Sequence, residues 1–490
     1  MKKIILLFAV HIMACASAFA QENGLGCVYD PEVDGKVPQQ ARLETRDYRV
    51  LPKSHSLKPY CPIAKSQSVY GSCSAWSTAY AARTICEAVN NGWTNKDSIT
   101  AEAFSPMFLY RQLYHVPGCQ GGVSIAGCLN IMKTKGVPKF SSFGTLCADY
   151  VPENLFTEAT SYKIDGFFSL FGMNSGSGVD KVAIVKKALA ENHPVVMAMD
   201  VYNSFSIYDG TDFWNGVKDV RRGPHAMCVV GYDDEKYGGA FEIMNSWGNG
   251  FGSGGFVWLT YSIFQRDVDY AYNVILNKKN DPKPLPQPVP DPQPEPKPKP
   301  VPAKKYSMSG ELEVIERDGG GHMGMVLAEN GLIPHYAAIE EYMSGKRFRL
   351  SVGNNEPAWV YVIATDLKNN LDVLFPYADN ISAYLCYKNC HIAIPDETHE
   401  FELDSTPGTD FFCVLYSQEE LDIKDTVSRM KSVDGSFYER LKTVLGDRLV
   451  TGEDVRYVRN QPGFSAKTNK TVVPLVIEIG HRDIQVNYNQ

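Results

Sequence analysis

Beyond its first twenty residues, the chain lacks any run of the roughly 18 or more apolar residues that a membrane span requires. It also lacks a basic surplus: 48 Lys and Arg face 56 Asp and Glu, for a formal charge of −8. No nucleic acid is expected as a partner, because phosphate binding needs concentrated Lys and Arg. Charged residues make up only 21% and hydrophobic residues 44%. That balance excludes a chain disordered throughout. A dinucleotide loop is excluded as well. Gly250-Phe251-Gly252-Ser253-Gly254-Gly255 has the glycine spacing, but a strand pattern follows it where a nucleotide loop must open a helix. A metal centre is not expected either. Cys386, Cys390 and His391 could combine with Cys413, yet a fourth ligand is not evident, and the Cys-x-x-x-Cys-His spacing is one residue too long for haem attachment. A disulfide plus one buried thiol is the expectation there, and no cofactor is implied.

What the chain does hold is 12 cysteines and 29 prolines. Lys2 and Lys3 precede an apolar run from Ile4 to about Ala14, and Ala18-Phe19-Ala20 offers small residues to a signal peptidase. Residues 1–20 therefore read as a signal peptide cleaved before Gln21. Lipid attachment at Cys15 is the weaker alternative, because Ile12-Met13-Ala14-Cys15 is a poor lipobox. The expected location is periplasmic or secreted, in a bacterial cell envelope, where disulfides persist. Loss of Cys15 leaves an odd number of cysteines, so at least one thiol is unpaired or pairs with another molecule.

From Pro282 to Pro302 every second residue is proline. Such a segment forms neither helix nor central strand; fully extended as polyproline II it spans roughly 65 Å. A length of 490 residues suggests about three domains at ~150 residues each. The proline ladder turns that into two: residues 21–276, a linker at 277–305 read as a plain spacer, and residues 306–490.

After Cys73 the apolar residues fall at Trp76, Ala79, Ala82, Cys86 and Val89, a helical spacing, with Gly71 and Ser72 as turn and cap types before them. A cysteine at a helix N-terminus feels the helix dipole, which favours the nucleophilic thiolate. Alone, such a cysteine is more simply a buried or disulfide-bonded one. Further along, His225-Ala226-Met227-Cys228-Val229-Val230 reads as a buried strand. Phe241-Glu242-Ile243-Met244 runs back and ends in Asn245-Ser246-Trp247-Gly248. A hairpin of this kind brings His225 beside Asn245, so that Asn245 can orient the imidazole while its other nitrogen faces a thiol.

These blocks resemble the papain-like cysteine peptidases. Gln67 lies where that family keeps its oxyanion-hole glutamine, and Gly118-Cys119-Gln120-Gly121-Gly122 resembles the loop that lines its substrate cleft. Ser105-Pro106-Met107-Phe108-Leu109-Tyr110 resembles the helix that follows the nucleophile helix, and Gly223-Pro224-His225-Ala226 and Asn245-Ser246-Trp247-Gly248 match the His and Asn blocks. The resemblance implies an α+β, two-lobed domain with a helical lobe and a β-rich lobe. It also implies peptide or protein substrates. Cys73 would be the nucleophile, His225 the base, Asn245 its orienter and Gln67 an oxyanion donor. Gly121, Gly122 and Trp247 would line the substrate site. Departures are Ser74 where the family has Trp, and Tyr70 where it has the cysteine that pairs with the glycine loop. Cys119 must then pair elsewhere, with Cys128 or Cys147, or stay free. The stretch before Cys73 is too short for the long inhibitory segment of many relatives, so little dependence on N-terminal processing is expected.

Residues 306–490 read as a small β-rich domain. Strands are expected at Trp359–Ala364, Leu371–Pro376, His391–Pro395, His399–Leu403 and Phe411–Ser417, and helix within Thr426–Leu445. This part resembles a domain of unknown function attached to bacterial caspase-like and papain-like peptidases. A binding or tethering role is expected by elimination, with its partner unknown. The functional expectation is a secreted cysteine endopeptidase. The alternatives are an acyl transferase or amidase acting on cell-wall peptides, or a vestigial binding or adhesion protein.

Overall fold

The computed structural model describes residues 23–173, 175, 178–277, 306–317, 320–329, 331–365 and 370–483. The expected signal peptide and the proline ladder both lie outside the described residues.

The N-terminal part has two faces. On one side, Cys73–Ala75, Trp76–Arg83 and Thr84–Asn91 form one continuous helical segment, π-wound over its middle stretch. The expected apolar positions Trp76, Ala79, Ala82 and Cys86 are all buried. Pro106–Leu113 and Ile125–Thr134 pack beside it, each started by a serine cap: the Phe108 N–H bonds to Ser105, and the Gly127 N–H to Ser124. On the other side is an antiparallel sheet in the order Gly166–Phe171, Val268–Ile275, Val195–Tyr202, Arg221–Asp233, Ala240–Met244, Phe256–Thr260, with Ser54–Ser56 added onto Arg221–Asp233. The unbroken apolar run after His225 is its central strand, with Ala226, Cys228, Val229 and Val230 fully buried. Gly250–Gly255 is a turn that leads into the strand Phe256–Thr260. The fold is the expected mix of a helical lobe and a β-rich lobe.

Residues 306–483 form two packed sheets and two helices. One sheet runs Leu371–Phe375, Ala358–Thr365, Gly408–Ser417, Val472–Arg482, His335–Ala338, Met325–Ala328; the other runs Cys390–Ile394, Arg347–Asn354, Tyr306–Glu316, Gly463–Thr468, Val455–Tyr457. Tyr416 stitches the sheets together, donating from one to the carbonyls of Glu311 and Gly353 in the other. The expected strands are present with shifted ends. The helical stretch is two helices, Ile423–Lys431 and Phe437–Leu445, the second opened by a capping box at Ser436 and Glu439.

The two parts touch closely. Asn273 of the N-terminal sheet donates to Tyr387 Oη at 3.1 Å and to Gln40 at 3.0 Å. Tyr387 is buried and also faces the His193 ring at 5.6 Å. On the helix Lys181–Ala190, Lys187 is buried against Tyr387, while Lys186 pairs with Asp234 and Lys181 donates to the Val268 carbonyl. One expectation needs correction here. The expected disulfide among Cys386, Cys390 and Cys413 is absent; these are three free buried thiols. Cys386 faces Asn273 of the N-terminal sheet and Cys390 faces Asn354, so these two sulfurs each meet a side-chain amide. Among the described residues one disulfide is present, Cys119–Cys147. It settles the partner of Cys119.

Candidate active site

Cys73 is the first residue of its helical segment, after Ser72, and is fully buried. The N–H of Ala226 points at its sulfur at 3.5 Å. His225, the neighbour of Ala226 on the central strand, is therefore on the side of the sheet edge that meets the helix N-terminus. Across the hairpin Cys228 pairs with Met244, which places Asn245 beside His225. His225 Nε2 and Asn245 Oδ1 are 2.8 Å apart. His225 Nδ1 is buried and has no hydrogen-bond partner among the described residues; it is the nitrogen left to serve a thiol. Trp247 stacks on the imidazole at 4.7 Å and 25°. It is held edge-on by Phe205 and Phe251. Trp76, displaced from the position next to the nucleophile, packs away from the cleft on Tyr80 and Phe140.

Gln67 is fixed from two directions. Its backbone N–H donates to the Ser246 carbonyl at 2.8 Å, and the Ser246 hydroxyl donates to its side-chain oxygen. The Gln67 Nε2 donors are thereby aimed at the start of the Cys73 helix. Ser246 has no signature in the sequence other than its place between Asn245 and Trp247.

An unexpected segment lies over these groups: residues 23–28, a strap near the beginning of the described chain. The Leu25 carbonyl accepts from Gln67 Nε2 at 3.2 Å and from the Cys73 N–H at 3.5 Å. The first is the donor that the resemblance assigns to an oxyanion, and the second is the backbone N–H of the expected nucleophile itself. The Gly24 carbonyl accepts from the Trp247 indole at 3.0 Å, and the Gly24 N–H donates to the Ser68 carbonyl at 2.8 Å. On the other side of Leu25, the Gly26 carbonyl accepts from the Val123 N–H at 3.0 Å, and the Val28 N–H donates to the Val123 carbonyl at 3.2 Å. The strap thus crosses the cleft from Trp247 to the Gly121–Gly122 loop. Glycine is required in it. A Cβ on Gly26 would sit 2.2 Å from the Gly71 carbonyl oxygen, and one on Gly24 2.2 Å from that of Tyr70. The Gly24-Leu25-Gly26 sequence is the only local signal, and it names no destination.

Electrostatics follow from this cover. Burial pushes the Cys73 thiol well above its ordinary value, with Cys27 nearby adding to the rise and the Ala226 N–H opposing it. Burial lowers His225 to about 4, against the Asn245 hydrogen bond. Under the strap both groups are neutral, where a bare helix-start cysteine beside a histidine is expected to ionise.

Seven expected site residues, Cys73, His225, Asn245, Gln67, Trp247, Gly121 and Gly122, converge on one cleft. Residues 51–272 match the family model of the papain family cysteine proteases, and residues 341–420 match that of a domain of unknown function, DUF4384. Mouse (Mus musculus) cathepsin K is 26% identical over 259 residues, which cover 52% of this chain and 68% of that protein. Cysteine proteinase 3 of Entamoeba histolytica is 25% identical over 237 residues, 48% of this chain and 69% of that protein. Among solved structures, xylellain, a cysteine protease from Xylella fastidiosa, aligns with a TM-score of 0.41 and 21% identity over 52% of this chain and 96% of its own. The chain is a cysteine peptidase, with a papain-family domain at residues 51–272 and a DUF4384 domain at residues 341–420.

Proposed function

We propose that the chain is an exported endopeptidase that cleaves peptide bonds through Cys73, His225 and Asn245, and that residues 23–28 hold it closed. The observation that carries this reading is the pair of donors, Gln67 Nε2 and the Cys73 N–H, meeting on one carbonyl oxygen beside the His225–Asn245 pair. A substrate carbonyl takes the place of Leu25. With the cover gone, water and the helix dipole favour the thiolate–imidazolium pair. The thiolate attacks the carbonyl carbon, and the oxyanion forms against the two donors. His225 protonates the leaving amine, then takes a proton from the water that hydrolyses the thioester. No metal or organic cofactor takes part in these steps. Lys2, Lys3 and the apolar run after them support export, as does the Cys119–Cys147 disulfide.

The strap blocks the cleft without being a good substrate. The leaving amine of an attacked bond must lie beside His225, on the side walled by Trp247. In the strap that side holds Gly24, and the amide that follows Leu25 heads toward Gly122 and Val123. The proton donor and the leaving nitrogen are on opposite sides of the carbonyl. This replaces the expectation that N-terminal processing matters little: six residues at the right donors are enough to cover the cleft.

Cys73→Ala should abolish hydrolysis of a denatured protein substrate. Gln67→Ala should lower kcat by about 10²–10³-fold, the usual loss for one oxyanion donor. Undiminished hydrolysis by Cys73→Ala would sink the assignment.

A further inference from the structure

The segment that follows the strap is gripped by the C-terminal part of the chain. The Gln39 N–H donates to the Asn380 carbonyl at 2.6 Å, and the Ser382 N–H donates back to the Gln39 carbonyl at 2.8 Å. Gln39 also bridges to Ser169 on the edge of the N-terminal sheet, so it is shared by both parts. Five residues on, the Glu44 N–H donates to the His391 carbonyl at 2.8 Å. The Thr45 N–H and hydroxyl both donate to Glu397, at 2.9 and 2.6 Å. Arg46 pairs with Glu313 at 3.0 Å and donates to the Ser351 hydroxyl at 2.9 Å. Asp47 accepts from both the backbone and the ring of His391. Residues 39–47 are thus held by one C-terminal sheet, through His391, Glu313 and Ser351, and by loop residues Asn380, Ser382 and Glu397.

From these contacts we infer that the C-terminal domain regulates the peptidase in cis: by gripping residues 39–47 it sets how firmly residues 23–28 sit in the cleft. The inference rests on the proposed reading of the strap as a closed state. Its physical content is effective concentration. Ten residues separate Val28 from Gln39, and buried Asp34, bonded to the Asp30 and Ala126 N–H groups and the Tyr272 hydroxyl, pins them midway. A short tether with a fixed far end returns the strap to its donors each time it leaves. Asp34 stays tied to the N-terminal part when the far end is released, so release acts when that point also opens, and then it lengthens the free segment and lowers that concentration. By reciprocity, whatever displaces the strap also loosens the grip. This gives the C-terminal domain a task that needs no nucleophile, base or metal of its own.

The test is the rate at which iodoacetamide alkylates Cys73 in the full-length protein, mapped by peptide mass, with peptide hydrolysis read in parallel. Glu313→Ala/Glu397→Ala removes the side-chain acceptors of Arg46 and Thr45 without touching the cleft. It should raise Cys73 alkylation by a factor within the range of about 5–150 common for coupled sites. Gly26→Val, which the strap's close passage over Gly71 cannot accommodate, should also raise it, and combining the two should add nothing further. A chain lacking residues 21–30 serves if Gly26→Val misfolds. If Gly26→Val or the truncation raises alkylation while Glu313→Ala/Glu397→Ala leaves it at the wild-type rate, the strap is a cover and the grip is irrelevant, which overturns the inference. If no variant raises it, the closed-state reading itself fails. Because alkylation reports access to the thiol, both outcomes can be read whatever the substrate.

Discussion

At the scale of single residues, the site and the domain contact use opposite electrostatic devices. His225 is buried without a counter-charge and falls to about 4, which keeps the covered site neutral. His391 is also buried in part, which lowers its basicity, but hydrogen bonds to Asp47 and Glu311 outweigh burial and raise it from 6.5 to about 9. Arg46 is the neighbouring cation that works against it. The folded protein therefore binds the His391 proton more tightly than the unfolded chain does. The stabilisation is fully present below about pH 6.5, shrinks above it, and is lost as pH rises through about 9. Denaturant midpoints of wild type and His391→Gln should accordingly differ most at and just below about pH 6.5 and converge above pH ~9. A gap that persists at alkaline pH would show that His391 contributes by packing alone.

At the scale of elements, the site is made where elements begin and end. A helical segment starts at Cys73, while one strand carries His225 near its start and another stops just before Asn245. The Gly121–Gly122 loop has no such element and is tied down differently, by the Cys119–Cys147 disulfide and by the Tyr110 hydroxyl on the Gly121 carbonyl. The two cysteines are separated by 28 residues, and closing a loop of that size is typically worth about 2–4 kcal/mol. Cys119→Ser/Cys147→Ser should lower stability by about that much and raise KM more than it lowers kcat, because the loop lines the cleft but donates nothing to the oxyanion. Steady-state kinetics on the folded double variant decides the point. An equal fall in kcat would place the loop in the transition state.

At the scale of the whole molecule, the proline ladder divides the sequence but not the core. Tyr387 from the C-terminal part is buried against Asn273, Gln40 and the Lys187 side chain of the N-terminal part. The two parts should therefore unfold together, in one calorimetric transition. Tyr387→Ala removes a large buried ring and leaves polar partners behind, and should cost ~3–5 kcal/mol. Uncoupling of the transition into two in that variant is the expected signature. Two transitions already in wild type would mean that the contact is too weak to couple the domains.

Cys73, His225 and Asn245 were legible in the chain because each sits beside a local signal: turn-type residues Gly71 and Ser72 before Cys73 (though Ser72 makes no capping hydrogen bond), an unbroken apolar strand after His225, and a turn after Asn245. The strands around residues 359–364, 371–376, 391–395, 399–403 and 411–417 were legible for the same reason, since alternation and turn residues are short-range properties, whereas Tyr306–Glu316, Arg347–Asn354 and Val472–Arg482 were not expected. Three things were decided only by the tertiary structure. Cys119 found Cys147 because the fold brings them within reach, while Cys386, Cys390 and Cys413 are three free buried thiols, with Asn273 against the first and Asn354 against the second. Lys187 was taken from solvent by a tyrosine two hundred residues away. Residues 23–28 took their place from donors on residues 67, 73, 123 and 247. Periodicity reports that a side chain will be buried, but not what will cover it, because that partner is supplied by contacts between segments remote in sequence.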